Sequence, residues 1–161
     1  MAAKSGNPKY TSMKKHVDPE GMFSIWVSGD WHRIGMAEGH RGVIYSPYPD
    51  DINTSFMVEH HRLDTSVRPK DLTVLRNGFL AGIQQLPDAE IEKFEASVGE
   101  AGAILLDATF TFSQDGVRRK RWVRISYWGT GQLTFVAQGS TVEEFDYWLP
   151  MFYNTMMTVE V

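Results

Sequence analysis

The stretch AILLDATFTF-SQDG-VRRKRWVRISYW-GTG-QLTFVAQG, residues 103–139, predicts three consecutive β-strands joined by two tight turns. β-Branched and aromatic residues dominate its three apolar runs, as expected of side chains on a pleated surface. Asp115-Gly116 predicts a two-residue hairpin turn, because both central positions of a type I′ turn need a positive φ. This turn sets a register in which Asp107 lies opposite Arg124.

Both faces of this predicted meander carry large apolar side chains. The apolar residues of the first face are Leu106, Ala108, Phe110, Val123 and Ile125, and those of the second face are Leu105, Trp122 and Trp128. A sheet that is apolar on both faces must be covered on both. Asp107 and Arg124 are the polar exceptions. They form either a structural ion pair between strands or a polar anchor inside a ligand cavity.

The remaining chain supplies further strands and two helices. Alternating apolar residues predict strands at 22–28, 42–46, 54–63 and 90–98, and apolar residues three or four apart predict helices near 69–86 and near 142–157. The order β-β-β-α-β-β-β-β-α predicts an α+β fold. We expect an α/β/α sandwich with a central, mainly antiparallel sheet of six to seven strands.

Local signals refine the two predicted helices. Gly78 and Gly82 lie four residues apart on one side of the first helix, where its backbone could pack close to the sheet. Thr141 and Glu144 predict a capping box at the start of the second helix. Pro150 lies inside that second helix and predicts a kink, because proline removes one backbone hydrogen bond.

Length and composition indicate one globular domain. Residues 20–161 contain the predicted elements, whereas residues 1–19 are polar and are predicted to form a loose tail that could be draped on the domain. The chain has no cysteine, which excludes disulfides and thiol catalysis within it. Its net charge of −4 does not favour nucleic acid as a partner, and no apolar run is long enough to span a membrane. Because the first residues do not resemble a signal peptide, we expect a cytoplasmic location, unless a leader has been removed. We also expect a monomer or a homodimer.

The densest charged run in the chain is basic and is followed by aromatic residues. Arg118-Arg119-Lys120-Arg121 could contact an anion or a protein partner, although strand alternation divides its charges between two faces, and charged edges also protect sheets from aggregation. The candidate partner-binding residues are Arg119, Arg121, Trp122, Tyr127 and Trp128.

A second interpretation is a small-molecule-binding protein or an enzyme, with a cavity between the sheet and the helix near 69–86. Asp107, Arg124 and His60 would be its polar groups. Adjacent strand residues point to opposite faces, so His60 and His61 cannot chelate one ion, and we predict no metal site. No nucleophile elbow or phosphate-binding loop occurs. We therefore predict no catalytic residue and no cofactor, and we expect a binding protein more than an enzyme.

Four segments of the chain resemble the PsbP-like family, which includes the extrinsic photosystem II subunit, the Ran-binding Mog proteins and many bacterial domains. These segments are FSIWVSGDW, LTVLRNGFLAGIQQL, AGAILLDATF with RRKRWVRISYW, and FDYWLPMFYNTMMTVEV, in which Trp148, Pro150 and Phe152 follow the family's aromatic-proline-aromatic pattern. The resemblance covers roughly residues 23–161. It implies a non-enzymatic adaptor that recognises a protein or peptide, since members of the family are mostly adaptors and binding modules. Some bacterial relatives are chaperones for secreted effectors.

Overall fold

A computed structural model describes residues 6–9 and 12–161 of the chain. Within them lie nine β-strands and two α-helices. The strands are Met13–Val17 (β1), Ser24–Ser28 (β2), His32–Ile34 (β3), Gly42–Ser46 (β4), Ser55–Arg62 (β5), Glu90–Val98 (β6), Ile104–Gln114 (β7), Val117–Trp128 (β8) and Gly131–Gly139 (β9). The helices are Leu72–Gln84 (α1) and Val142–Met157 (α2). Neither helix is long and apolar enough to cross a membrane.

Seven of the strands form one antiparallel sheet in the order β3-β4-β5-β9-β8-β7-β6, while β1 and β2 form a separate two-stranded ribbon. The predicted α+β fold with a central antiparallel sheet of six to seven strands is therefore confirmed. The predicted hairpin register is also confirmed, because Asp107 pairs with Arg124. Both turn residues have positive φ, 53° at Asp115 and 74° at Gly116, as a type I′ turn requires.

One face of the sheet, here called the α1 face, is covered by α1 over β6, β7 and β8. Ile83 of α1 packs with Ala108, Phe110, Phe112 and Val123 in one apolar cluster. A second cluster places Leu72 and Leu75 against Ile104, Leu106 and Tyr127. The helix therefore packs on this face with the row of apolar residues that its 3.6-residue period predicts.

The two glycines of α1 do not pack as predicted. A Cβ atom added at Gly78 or at Gly82 would meet no atom within 4 Å, so both residues line the exposed side of the helix. The prediction that they bring the helix backbone close to the sheet is wrong. The helix instead packs through its large side chains, which keep its backbone away from the strands.

The opposite face, here called the α2 face, is covered by α2 and by the β1–β2 ribbon over β4, β5, β9 and part of β8. Its core residues are Phe23, Ile25, Val27, Trp31, Val43, Tyr45, Phe56, Val58, Trp122, Leu133, Phe135, Ala137, Phe145, Met151, Phe152 and Met156. The helix crosses β9 and β8 and leaves Leu105, Asp107 and Thr109 of β7 half-buried. This face of the sheet is therefore only partly covered.

The predicted tail contains a strand. Residues 13–17 form β1, which pairs with β2 in a regular antiparallel register, so the prediction of a loose tail is wrong for this segment. His16 of β1 is buried between the rings of Phe23 and Tyr45. Polar composition hid this strand because its buried side chain is a histidine. Residues 1–5, 10 and 11, which the tail prediction also covered, lie outside the described residues.

Candidate functional site

A groove lies between α2 and the uncovered part of the sheet. One wall is a row of three exposed apolar side chains on α2, spaced four residues apart. These residues, here called the groove row, are Leu149, Tyr153 and Met157, and their exposed fractions are 38%, 53% and 49%. Side chains four residues apart lie above one another on a helix. The row therefore presents a continuous apolar edge beside the sheet, here called the α2 groove.

The floor of the α2 groove carries a polar centre on β7 and β8. Arg124 Nε donates a hydrogen bond to Asp107 Oδ2 over 2.8 Å, and Trp122 Nε1 donates to the same oxygen over 2.9 Å. The Arg124 guanidinium also lies 5.6 Å from the centre of the Trp122 ring. Because all three side chains are at least half-buried, these bonds hold the floor in one geometry.

Two depressions meet at this polar centre. One encloses about 660 Å³ between Asp107, Trp122, Leu149 and Tyr153, and the other encloses about 530 Å³ between Leu105, Arg124 and Met157. Since Asp107 lines the first, Arg124 lines the second and the two side chains are hydrogen-bonded, the depressions are halves of one groove. The Trp122 and Tyr153 rings stack with their centres 6.5 Å apart, and this contact connects the floor of the groove to its wall.

The end of the groove near the start of α2 is held by ion pairs. Lys120 Nζ lies 3.0 Å from Glu92 Oε2 of β6 and 3.4 Å from Asp146 Oδ1 of α2, and it lies 5.3 Å from the centre of the Phe145 ring. Burial opposes the charged form of this lysine, but its bonds to the two carboxylates outweigh burial and raise the pKa of Lys120. The lysine therefore stays charged and ties β6, β8 and α2 together.

The structure does not bring the five predicted partner-binding residues into one surface. Trp122 and Trp128 lie on the α2 face, whereas Arg119, Arg121 and Tyr127 lie on the α1 face. Arg119, Trp122 and Tyr127 are also buried, with exposed fractions of 7–8%. Burial raises the pKa of the Tyr127 hydroxyl. Of the five, Trp128 alone combines a half-buried ring with a position at the α2 groove.

The predicted cavity residues also require a correction. Asp107 and Arg124 lie together, as predicted, but on the α2 face and not beneath the helix near 69–86. The space between that helix and the sheet is filled by the apolar clusters around Ile83 and Leu106. Strand alternation is the reason, because Leu106 and Ala108, the neighbours of Asp107, both point towards α1.

His60, the third predicted polar group, lies away from the α2 groove in a polar depression of about 630 Å³. Its Nε2 atom lies 3.4 Å from Glu20 Oε2 and 3.8 Å from Asp18 Oδ2. Across residues 6–9 and 12–161, no group of three or more His, Asp or Glu side chains is arranged to hold a metal ion. Trp128 lines both this depression and the α2 groove, so it separates the two.

The groove row was missed by sequence reasoning, although a signal for it exists. In the sequence of α2, one row of apolar residues spaced three or four apart consists of Val142, Phe145, Leu149, Phe152 and Met156, and this row predicts the buried side of the helix. The structure buries Phe145, Phe152 and Met156 and leaves Leu149 exposed with Tyr153 and Met157. A helix with two neighbouring apolar rows has more apolar surface than one sheet contact can cover. The second row, Leu149, Tyr153 and Met157, is therefore the sequence signal for an apolar edge that the sheet does not cover.

Comparisons with solved structures show the fold of this chain. No protein-family model and no curated protein sequence matches it. The chain is similar to cyanobacterial PsbP (CyanoP) from Synechocystis sp. PCC 6803, with 15% identity, a TM-score of 0.63 and coverage of 98% of this chain and 97% of that one. It is also similar to LpqN from Mycobacterium tuberculosis, with 16% identity, a TM-score of 0.57 and coverage of 91% and 90%. These likenesses support a PsbP-like fold at the level of architecture.

Proposed function

We propose that this chain is a non-enzymatic binding protein and that the α2 groove takes a short, extended segment of a partner protein. The observation that carries the proposal is the groove row, three exposed apolar side chains facing a sheet floor with a fixed polar centre. Exposed apolar patches rimmed by polar groups are typical of interaction sites in soluble proteins. A role as an adaptor or a chaperone would use such a groove.

The dimensions of the groove fit a short peptide segment. From Asp146 to Met157 the helix extends about 16 Å, at 1.5 Å per residue. An extended chain rises roughly 3.3 Å per residue, so about five residues lie along the groove. The two depressions on either side of the polar centre would each receive an apolar side chain of that segment.

The chemistry of the floor defines the partner further. Asp107 and Arg124 present one acceptor and one donor group at the middle of the groove, and the aromatic pair Trp122–Tyr153 lies beside them. A segment with apolar side chains near both ends and a polar side chain or free backbone group at its centre matches this arrangement. Aromatic and arginine side chains of this kind are also those that dominate the energy of protein interfaces.

The comparisons are compatible with such a role. CyanoP is a cyanobacterial PsbP, and LpqN is described as involved in cell envelope biogenesis. Sequence identities of 15% and 16% support a shared fold alone and not a shared partner, so the partner of this chain is inferred from the groove itself.

The proposal is tested with a phage-displayed library of random seven-residue peptides, selected on the wild-type protein. We expect enrichment of peptides with apolar residues at both ends, and we expect the best of them to bind with at least tenfold lower affinity to Tyr153→Ser and to Met157→Ser. Fluorescence anisotropy of the labelled peptide gives the affinities. Val74→Ser is the matched control, because Val74 is an exposed apolar residue on α1, with an exposed fraction of 74%.

Two outcomes would contradict the peptide proposal. Selected peptides that bind both groove variants as tightly as the wild type would place their site elsewhere. A library without enrichment would remove peptide binding altogether.

The apolar lining of the larger depression by Trp122, Phe145 and Leu149 favours a small apolar ligand as the second candidate. An uncharged apolar dye such as Nile red that binds the wild type and not Tyr153→Ser, while no peptide does, would support that candidate.

A further inference from the structure

Strand alternation divides the basic run of β8 into two different environments. Arg118 and Lys120 point towards the α2 face, where both are paired with carboxylates of β6. Arg119 and Arg121 point towards the α1 face. Residues two apart on a strand have Cα atoms about 7 Å apart, so these two guanidinium groups lie on one side of the sheet as neighbours.

The Arg119 and Arg121 side chains lack a partner of opposite charge. Arg119 has an exposed fraction of only 8%, and its buried Nε and Nη1 atoms have no hydrogen-bond partner among residues 6–9 and 12–161. Arg121 Nε donates to the neutral Gln138 Oε1 over 2.7 Å, and its guanidinium lies 4.5 Å from the centre of the Phe112 ring. No described carboxylate forms an ion pair with either arginine.

The rest of the chain cannot supply the missing charge. All 20 Asp and Glu residues of the sequence lie within the described ranges, because residues 1–5, 10 and 11 contain none. Burial lowers the pKa of Arg121, and the positive charge of Arg119 lowers it further. Guanidinium groups nevertheless remain protonated in proteins, and a buried charge is costly unless it is paired. The two charges therefore have no counter-ion among the described residues.

A depression opens beside Arg121, the more accessible end of this pair. This depression of about 580 Å³ is lined by Arg121, Phe112, Leu86 and Pro87, and by the β7–β8 turn. Asp88 and Asp115 also line it. These two carboxylates oppose the approach of any anion, and the repulsion grows with the number of charges that the anion carries. The depression therefore disfavours a chain of phosphates more strongly than a single small anionic group.

We propose that Arg119 and Arg121 form a binding site for a single oxyanion group, a carboxylate or a phosphate, on a small ligand. The planar guanidinium fork presents parallel N–H donors that match two oxygens of either group. This site lies on the α1 face of the sheet, opposite the α2 groove, so it is independent of the proposed peptide site.

The proposal is tested by thermal unfolding and calorimetric titration with three salts at equal ionic strength, sodium phosphate, sodium acetate and sodium chloride. We expect phosphate, acetate or both to raise the melting temperature in a saturable manner, beyond the effect of chloride. Binding should be at least tenfold weaker in Arg119→Met and in Arg121→Met. Arg62→Met is the matched control, because Arg62 is an exposed arginine of β5 that lies outside the depression, and this variant should bind as the wild type does.

Two further measurements keep the test decisive. Arg119→Lys retains the charge without the fork, and it should fold while binding several-fold more weakly than the wild type. Stabilisation by phosphate alone assigns a phosphoryl ligand, and stabilisation by acetate alone assigns a carboxylate. The proposal is overturned if phosphate and acetate act no differently from chloride, or if the Arg119 and Arg121 variants bind either anion as the wild type does.

Discussion

Asp107 and Arg124 face each other across the β7–β8 hairpin, and Arg124 Nε donates a hydrogen bond to Asp107 Oδ2 over 2.8 Å. The same carboxylate oxygen accepts a bond from Trp122 Nε1. One aspartate therefore orients both the guanidinium and the indole that form the floor of the α2 groove. Because the Trp122 ring stacks on Tyr153, this aspartate also influences the wall of the groove.

Replacing Asp107 by asparagine should destabilise the protein. Asp107→Asn removes the charge that pairs with a partly buried guanidinium, and the expected loss is about 1–3 kcal/mol in the free energy of unfolding. Urea denaturation measures this loss. The matched control is Glu95→Gln, because Glu95 lies opposite Asp107 in the register of β6 and β7 but is exposed to solvent. Equal losses in both variants would show that the bonds to Arg124 and Trp122 contribute nothing specific.

Alanine at Gly78 or Gly82 should stabilise the protein. Both glycines lie in α1, and an added Cβ atom would meet no neighbour within 4 Å. Alanine restricts the unfolded chain and favours the helix, so each change should add about 0.5–1 kcal/mol to the free energy of unfolding, measured in urea. Gly116→Ala is the opposing control, since Gly116 has a φ of 74° that alanine adopts only with strain. Destabilisation by Gly78→Ala would mean that this side of α1 is covered in solution.

The sheet could be predicted from sequence because local chemistry determines it. The Asp115-Gly116 turn alone specifies which residue of β7 faces which residue of β8, and alternation then assigns every side chain of the hairpin to a face. The sequence also predicts a capping box of Thr141 and Glu144. Its first half is present, because Thr141 Oγ1 accepts a hydrogen bond from the Glu144 backbone, whereas the Glu144 carboxylate does not bond back to the Thr141 backbone. These features depend on residues that are close together in the chain.

The groove could not be predicted, because it depends on contacts between distant segments. Alternation shows that β7 and β8 have two apolar faces, but it does not show how far α2 covers either of them. That depends on where α2 crosses the sheet. Glu144 is a second example of a contact that local patterns do not predict, since its carboxylate accepts hydrogen bonds from Tyr48 and Trp148. Tyr48 is far from Glu144 in sequence, and no local pattern indicates this pairing.

The crossing position of α2 is determined partly by a glycine, which gives a third prediction. A Cβ atom added at Gly139 of β9 would lie 2.2 Å from the backbone nitrogen and 2.6 Å from the Cα atom of Phe145. Because backbone atoms cannot rotate away, Gly139→Ala should displace the first turn of α2 and cost about 1–3 kcal/mol in the free energy of unfolding. Urea denaturation and near-ultraviolet circular dichroism would report the loss and the displaced aromatic rings.

Gly35 provides the control for this substitution. It lies in an exposed loop, and a Cβ atom added there meets nothing within 4 Å. Gly35→Ala should change the free energy of unfolding by no more than about 0.5 kcal/mol. If Gly139→Ala were as mild as Gly35→Ala, α2 would not rest on the β9 backbone as the structure shows.

The last prediction concerns His16, the buried histidine of β1. Burial lowers the pKa of its ring, the positive charge of Arg33 lowers it further, and Asp18 opposes both. Its Nδ1 atom lies 3.2 Å from the Tyr45 hydroxyl, and its ring stacks on Phe23. The folded protein therefore prefers the neutral ring, whereas in the unfolded chain the ring takes up a proton near pH 6.5.

His16 should therefore make the stability of the protein depend on pH below about 6.5. A lowered pKa in the folded state means that this contribution is fully present above the unfolded pKa and is lost as the pH falls towards the folded pKa. Urea denaturation between pH 7.5 and pH 5 should thus show a smaller fall in His16→Gln than in the wild type. His32→Gln, which removes an exposed histidine from β3, should follow the wild type. Identical pH dependence in His16→Gln and the wild type would mean that the buried ring takes up its proton as readily as in the unfolded chain.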